Sequence, residues 1–334
     1  AFETLGEEEG IQQGTGPYKY VEWNQGSYLD LTANEDYWGG APETPNIRVS
    51  YIAELAARLT AVRTGELDIC QDIPQTELAN VQADDALQLV TYPSATLDFL
   101  AFNVNEAPMD NQALRQAIAY ALNRQDIVDG VFMGNAIAHN NIMHSSNAYY
   151  SEIEGIDYDL EKAKQLMEEA GYGDGGLELT LMTNTTSESQ AAATIIQAQL
   201  AEIGIDVRIN TMDNATVTST ASSGTGYHMI FSRWSGYAFG PDYGIREMLY
   251  SDGSNNYGHI SDSTLDEMID EAVTIEDQQE RIAAYKAISE YSDEVMVVYP
   301  VLIENYTFVA SNNVENILQP NGPIMNFREI VAYQ

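Results

Sequence analysis

Residues 177–209 constrain the fold of this chain more than any other stretch. Leu177, Leu179 and Leu181 alternate with other residues, the period of a half-buried strand, here over 177–182. Ser187 and Gln190 follow at the spacing of a capping box, ahead of a helix over 191–203 that Gly204 stops. Ile205, Val207 and Ile209 then alternate as the next strand. A strand, a helix and a strand of this length join parallel neighbours, almost always through a right-handed crossover. The expected class is therefore α/β, with mixed sheets in more than one lobe.

The rest of the chain can be read in the same way. Up to about residue 95, turns alternate with short strands over 18–23, 29–31 and 47–52, then a helix over 55–64 with Gly65 at its C-cap and a strand over 67–70. Asp110 is the expected N-cap of a helix through Leu114, Ile118 and Leu122, and Asp159 that of a helix over 162–170 ended by Gly171. A buried strand is expected over 229–231, helices over 265–273 and 278–291, and a final strand over 295–302. The Ser-, Thr- and Gly-rich stretches 216–226 and 251–259 read as flexible loops. No repeat or low-complexity tract is present.

Composition narrows the partners. Fourteen basic residues against 51 acidic ones give a net charge of −37, which repels nucleic acid and anionic lipid. The plain reading of such acidity is a solubilising surface, and the run Glu7–Glu9 a solvated face. Adaptation to high salt, or a taste for cationic ligands, also fits a chain whose only lysines are Lys19, Lys162, Lys164 and Lys286. No apolar run reaches the ~20 residues of a membrane span. Cys70, the single cysteine, permits neither an internal disulfide nor a thiolate metal cage, and its apolar context makes it a small core residue. Ala1 opens a polar, acidic stretch with no signal peptide.

Chemical signatures are scarce. His139 and His144 stand five apart, off the i, i+4 spacing of a helical zinc pair, and no carboxylate completes a set with them. No nucleophile elbow, phosphate loop or dinucleotide fingerprint occurs. We therefore expect no catalytic residues, no metal and no cofactor. The informative stretch is 227–243, YHMIFSRWSGYAFGPDY. A short strand ends in Arg233 and Trp234, and ligands of α/β sheets meet the carboxyl ends of strands. Arg233 suits a two-pronged carboxylate clamp, Trp234 and Tyr237 suit stacking, and Asp242 suits an amine. Alternatively, Trp234 and Phe239 are plain core and Arg233 pairs with a surface acid.

Five phrases decide between these readings: GTGPY at 14–18, YWGG at 37–40, RLTAVRTGELDI at 58–69, LRQAIAYALNRQDIV at 114–128 and YDLEKAKQLMEEAGY at 158–172. In this order the chain resembles the oligopeptide, dipeptide and nickel binding proteins of ABC importers, solute-binding family 5. The resemblance implies a periplasmic-binding-protein-like fold of type II, cluster C, closing two lobes over a peptide. It implies part of lobe I over 1–96, lobe III over 97–298 and a return to lobe I over 299–334. The N-terminal strands and a small extra lobe would lie ahead of residue 1, so the chain is expected to be the C-terminal portion of a longer protein. It further implies a monomer outside the cytoplasm, in the periplasm or lipid-anchored, that hands its ligand to membrane permease subunits. Arg233, Trp234, Tyr237, Asp242 and Asn184 form the implied ligand-binding set. One departure stands out: family members that bind peptides often carry an aspartate three residues after the tryptophan, where this chain has Tyr237. Sugars, modified peptides and metal chelates therefore stay open as ligands, a sensing protein on the same scaffold is the alternative function, and a hydrolase is the remote one.

Overall fold

The computed structural model describes residues 14–236, 240–317 and 327–333. The chain forms two units, Ala1–Tyr92 with Tyr306–Gln334, and Pro93–Asn305. The expected acidic run Glu7–Glu9 lies outside the described residues.

In the first unit, Tyr18–Asn24 (β1), Tyr28–Ala33 (β2) and Asn46–Ser50 (β3) make an antiparallel sheet in that order. Leu55–Arg63 (α1) leads from β3 to Ile69–Gln71 (β4), and Gly65 adopts the left-handed conformation (φ 75°) that closes such a helix. β4 does not join the β3 sheet. It pairs antiparallel with the second half of Val298–Ser311 (β10), Cys70 facing Val309. Leu78–Gln82 (α2) covers this strand, and Leu59, Val62, Cys70, Ile73, Val81 and Val309 form one buried cluster. Burial also pushes the Cys70 thiol up to about 11, which keeps it protonated and inert.

The second unit is built on a sheet with the strand order β10, Leu87–Phe102 (β5), Met229–Trp234 (β9), Leu177–Asn184 (β7) and Ile205–Met212 (β8). Ala136–Ala138 (β6) pairs with β10. β7 runs parallel to β8, as the alternation at 177–209 predicts; it also runs parallel to β9, and β5 runs antiparallel to β9. Each face of the sheet has its own core. Gln112–Ala121 (α3), Arg124–Phe132 (α4), Leu160–Glu169 (α5) and Ser187–Ala201 (α6) bury one face around Leu100, Phe102, Leu181 and Phe231. Asn214–Ser223 (α7), Pro241–Leu249 (α8), Ser263–Thr274 (α9) and Gln278–Val295 (α10) bury the other around Leu97, Phe99, Met182 and Ile230. A two-residue ladder, Val314–Glu315 (β11) with Val331–Ala332 (β12), completes the first unit.

Two arginines of the 114–128 phrase are buried for a structural reason. Arg115 donates to the carbonyls of Val295, Met296 and Met109 at 2.6–2.8 Å, closing the carboxyl end of α10, where a cation also meets the helix dipole. Arg124 donates to Pro300 and Ile156 and lies 4.0 Å over the Tyr299 ring.

Several expectations shift. The stretch 216–226 belongs mostly to a helix, α7. Asp213 caps it by accepting from Thr216 N–H, Thr218 and Ser223 hydroxyls return to helix carbonyls, and Val217 and Ala221 sink into the core. Tertiary burial overrides a weak propensity here. The cap of α3 is Asn111 rather than Asp110, and that of α6 is Thr186 rather than Ser187. Gln190 donates to the Thr185 carbonyl instead of closing a capping box. The last long strand starts at Val298, because α10 runs on to Val295 and Met296 turns left-handed (φ 44°).

Candidate ligand-binding site

β7, β8 and β9 run the same way, so Asn184, Met212 and Trp234 end on one edge of the sheet. The start of β5 in the second unit reaches the same edge, with Leu97 opposite Trp234 and Asp98 opposite Arg233. This is the edge at which α/β sheets receive ligands.

Arg233 and Trp234 are consecutive on a strand and therefore point to opposite faces. The Trp234 indole is half-buried against the second core, 5.8 Å from the Tyr243 ring, and its Nε1 finds no hydrogen-bond partner among the described residues. Gly236 sits beneath it: a Cβ there would come within 2.2 Å of the indole. Arg233, on the other face, is 40% exposed and brings Nη2 to 3.2 Å from Glu304 Oε1. Burial works against its cation, but the charges of Asp98, Glu304 and Glu188 outweigh it and raise its pKa.

Asp242 opens α8 and is already matched. Arg281 Nη2 lies 2.7 Å from each of its oxygens, and the Tyr285 hydroxyl donates to it as well. Arg281 also stacks over Tyr149 at 4.8 Å. Its charge therefore ties α10 to α8 and is not free for a ligand amine in this arrangement. Asn184 is likewise engaged: its Oδ1 accepts from the Thr186 N–H and hydroxyl, building the entry to α6. Tyr237 and Phe239 lie outside the described residues.

Sequence reasoning missed Asp98 and Glu304, which stand beside Arg233 in the middle of apolar strands. A lone acid within LDFLAF was the available signal, since an unpaired carboxylate is rare in such a run. His139 and His144 prove to be packing residues. Both are buried; His139 Nε2 meets the Met143 carbonyl at 2.9 Å, and His144 Nδ1 accepts from Ser146. In the first unit, a cavity of about 500 Å³ lies between the edges of β3 and β4, and none of the candidate residues lines it.

The model of the bacterial extracellular solute-binding proteins, family 5 Middle, matches residues 3–256. The glutathione-binding protein GsiB of Salmonella typhi is 29% identical over 323 residues, covering 94% of this chain and 63% of the relative. GsiB of Escherichia coli O157:H7 is 27% identical over the same coverage. The chain thus spans about 63% of the length of the curated relatives it matches. Among solved structures, the substrate-binding protein CtaP of Listeria monocytogenes aligns with a TM-score of 0.89 at 25% identity, over 99% of this chain and 70% of that one. DppA of Helicobacter pylori, in complex with the peptide STSA, aligns at 0.78 and 25% over 96% and 63%. With the fold and the matched residues in agreement, this chain belongs to family 5 of the bacterial extracellular solute-binding proteins.

Proposed function

We propose that the chain is the main part of the solute-binding component of an ABC importer, taking up a peptide or a peptide-like small solute and passing it to membrane permease subunits. The observation that carries this reading is the family match over residues 3–256, together with relatives named for binding glutathione and a similar structure that holds a tetrapeptide. The protein works outside the cytoplasmic membrane, by a lipid anchor or free in the periplasm, and as a monomer. Its ligand meets the carboxyl edge of the second unit's sheet. Trp234 supplies a stacking surface there, and Arg233 a guanidinium for anionic groups. Main-chain hydrogen bonds and bridging waters carry most of the affinity, which lets one site take several side chains.

No bond is broken in this cycle. Binding of glutathione or of short peptides such as trialanine should raise the melting temperature with concentration, because the ligand stabilises only the folded state. Mass spectrometry should recover the peptides intact. Cleaved peptide, or no thermal shift with any peptide tried, contradicts the proposal.

A further inference from the structure

Across three neighbouring strands of the second unit lies a row of charge: Glu304 on β10, Asp98 on β5 and Arg233 on β9. Two carboxylates share one guanidinium, so with both ionised the row would carry one unmatched negative charge. Asp98 is only 1% exposed, while the Glu304 side chain is 22% exposed and opens the row to solvent. Asp98 Oδ1 accepts no hydrogen bond among the described residues, whereas Glu304 Oε1 has Arg233 Nη2 at 3.2 Å. A buried acceptor without a donor is expensive, and its presence at a family binding edge asks for a donor from outside.

The chemistry of that donor follows from the groups that face the row. They are Arg233 from β9, Glu304 from β10 and, at longer range, Glu188 from the first turn of α6. An anion would meet three carboxylates against one cation. A metal ion would need a larger donor set, and no cluster of three metal-binding side chains occurs among the described residues. A primary ammonium fits: it has one positive charge, and its three N–H donors suit the unpartnered Asp98 Oδ1 and the carboxylate beside it. We infer that Asp98 and Glu304 form a subsite for the protonated primary amine of the bound solute, with Arg233 holding the pair in place. This inference rests on the solute-binding reading and adds a ligand class to it.

In the unliganded protein a proton stands in for the amine. Burial and then the Glu304 charge push the Asp98 carboxyl well above the usual range, with Arg233 pulling the other way. Asp98 is therefore the carboxyl that holds the proton when no ligand is bound. Arrival of an ammonium group replaces that proton, which leaves to solvent, so the charge of the row is the same before and after.

Two titrations test the subsite on the whole 334-residue chain. In the first, the side-chain carboxyl carbons of Asp98 and Glu304 are followed by NMR as ethylammonium chloride is added, with tetramethylammonium chloride as the cation that has no N–H. Saturable shifts with ethylammonium alone support the subsite; no shift, or equal shifts with both salts, overturns it. In the second, calorimetry compares trialanine with N-acetyl-trialanine. Acetylation should weaken binding by about tenfold or more in the wild type and by less than about twofold in Asp98→Asn. Equal binding of the two peptides by the wild type overturns the subsite. If Asp98→Asn fails to fold, Glu304→Gln replaces it, at a position that solvent already reaches. The two readings separate cleanly. Ethylammonium shifts without peptide binding remove the peptide reading and keep the amine site. Peptide binding indifferent to acetylation, without ethylammonium shifts, does the reverse.

Discussion

Arg281 holds both carboxylate oxygens of Asp242 at 2.7 Å and so joins α10 to the first turn of α8. The pair is charge-assisted and part-buried, and the Tyr285 hydroxyl completes it. Asp242→Asn should destabilise the protein by about 1–3 kcal/mol, the usual loss for a hydrogen bond to a charged partner. Urea unfolding measures this directly. Weaker ligand binding with unchanged stability would instead return Asp242 to the ligand.

Trp234 offers its own reporter. The chain has three tryptophans, and the other two, Trp23 and Trp38, are 53% and 85% exposed in the first unit. A ligand stacking on Trp234 should change emission in the wild type and leave Trp234→Phe nearly silent. Trp234→Ala should weaken binding by about 1–3 kcal/mol if the ring is a buried anchor. Gly236→Ala should do similar damage by displacing the indole, since the added methyl has no room. Unaltered affinity in both variants, with the fold intact, makes Trp234 a core residue only.

His144 should contribute to the pH dependence of stability on the acid side. Burial first, and the neighbouring His139 second, push its pKa down to about 4. Nδ1 accepts from Ser146, so the ring is neutral in the folded state. The unfolded chain binds the proton more readily, with a pKa of about 6.5. Stability from this residue is complete above pH ~6.5 and is lost as pH falls toward ~4, by on the order of 3 kcal/mol. Asp293 acts in the opposite sense: burial raises its carboxyl to about 7, so its contribution is lost as pH rises toward 7. The cleaner readout is therefore a difference. His144→Gln should flatten the acid side of the stability curve relative to the wild type, and parallel curves would refute the assignment.

Salt should stabilise the fold. A net charge of −37 repels itself in the compact state, and the repulsion is screened over about 10 Å at 0.1 M salt and about 3 Å at 1 M. Thermal unfolding at rising sodium chloride should show an increasing midpoint. A flat response would mean that local ion pairs already absorb the excess.

The sequence disclosed the architecture where periodicity and punctuation agreed. Leu177–Asn184, Ser187–Ala201 and Ile205–Met212 emerge as a parallel β–α–β unit because two alternating strands flank one capped helix. It hid α7, because a run of Ser and Thr looks like loop until Asp213 caps it and Val217 finds a core. It also hid β5, whose 16 residues are buried on both faces beyond Pro93 and so carry no alternation. At the site, Arg233 and Trp234 could be placed on one strand end, but not the acids beside them. Asp98 and Glu304 are 206 positions apart in the chain, and only the order of strands makes them neighbours of Arg233.

The rims of β3 and β4 that face the first unit's cavity have a practical consequence. Among the described residues each ends its sheet, so either rim can pair with a further strand, although on β4 the Gln71 carbonyl already accepts from Arg58. Copies kept apart by their charge will meet rim to rim once salt screens it. Purification in concentrated brine should therefore yield fibrous or amorphous aggregate, and dilute, low-salt storage should keep the protein clear.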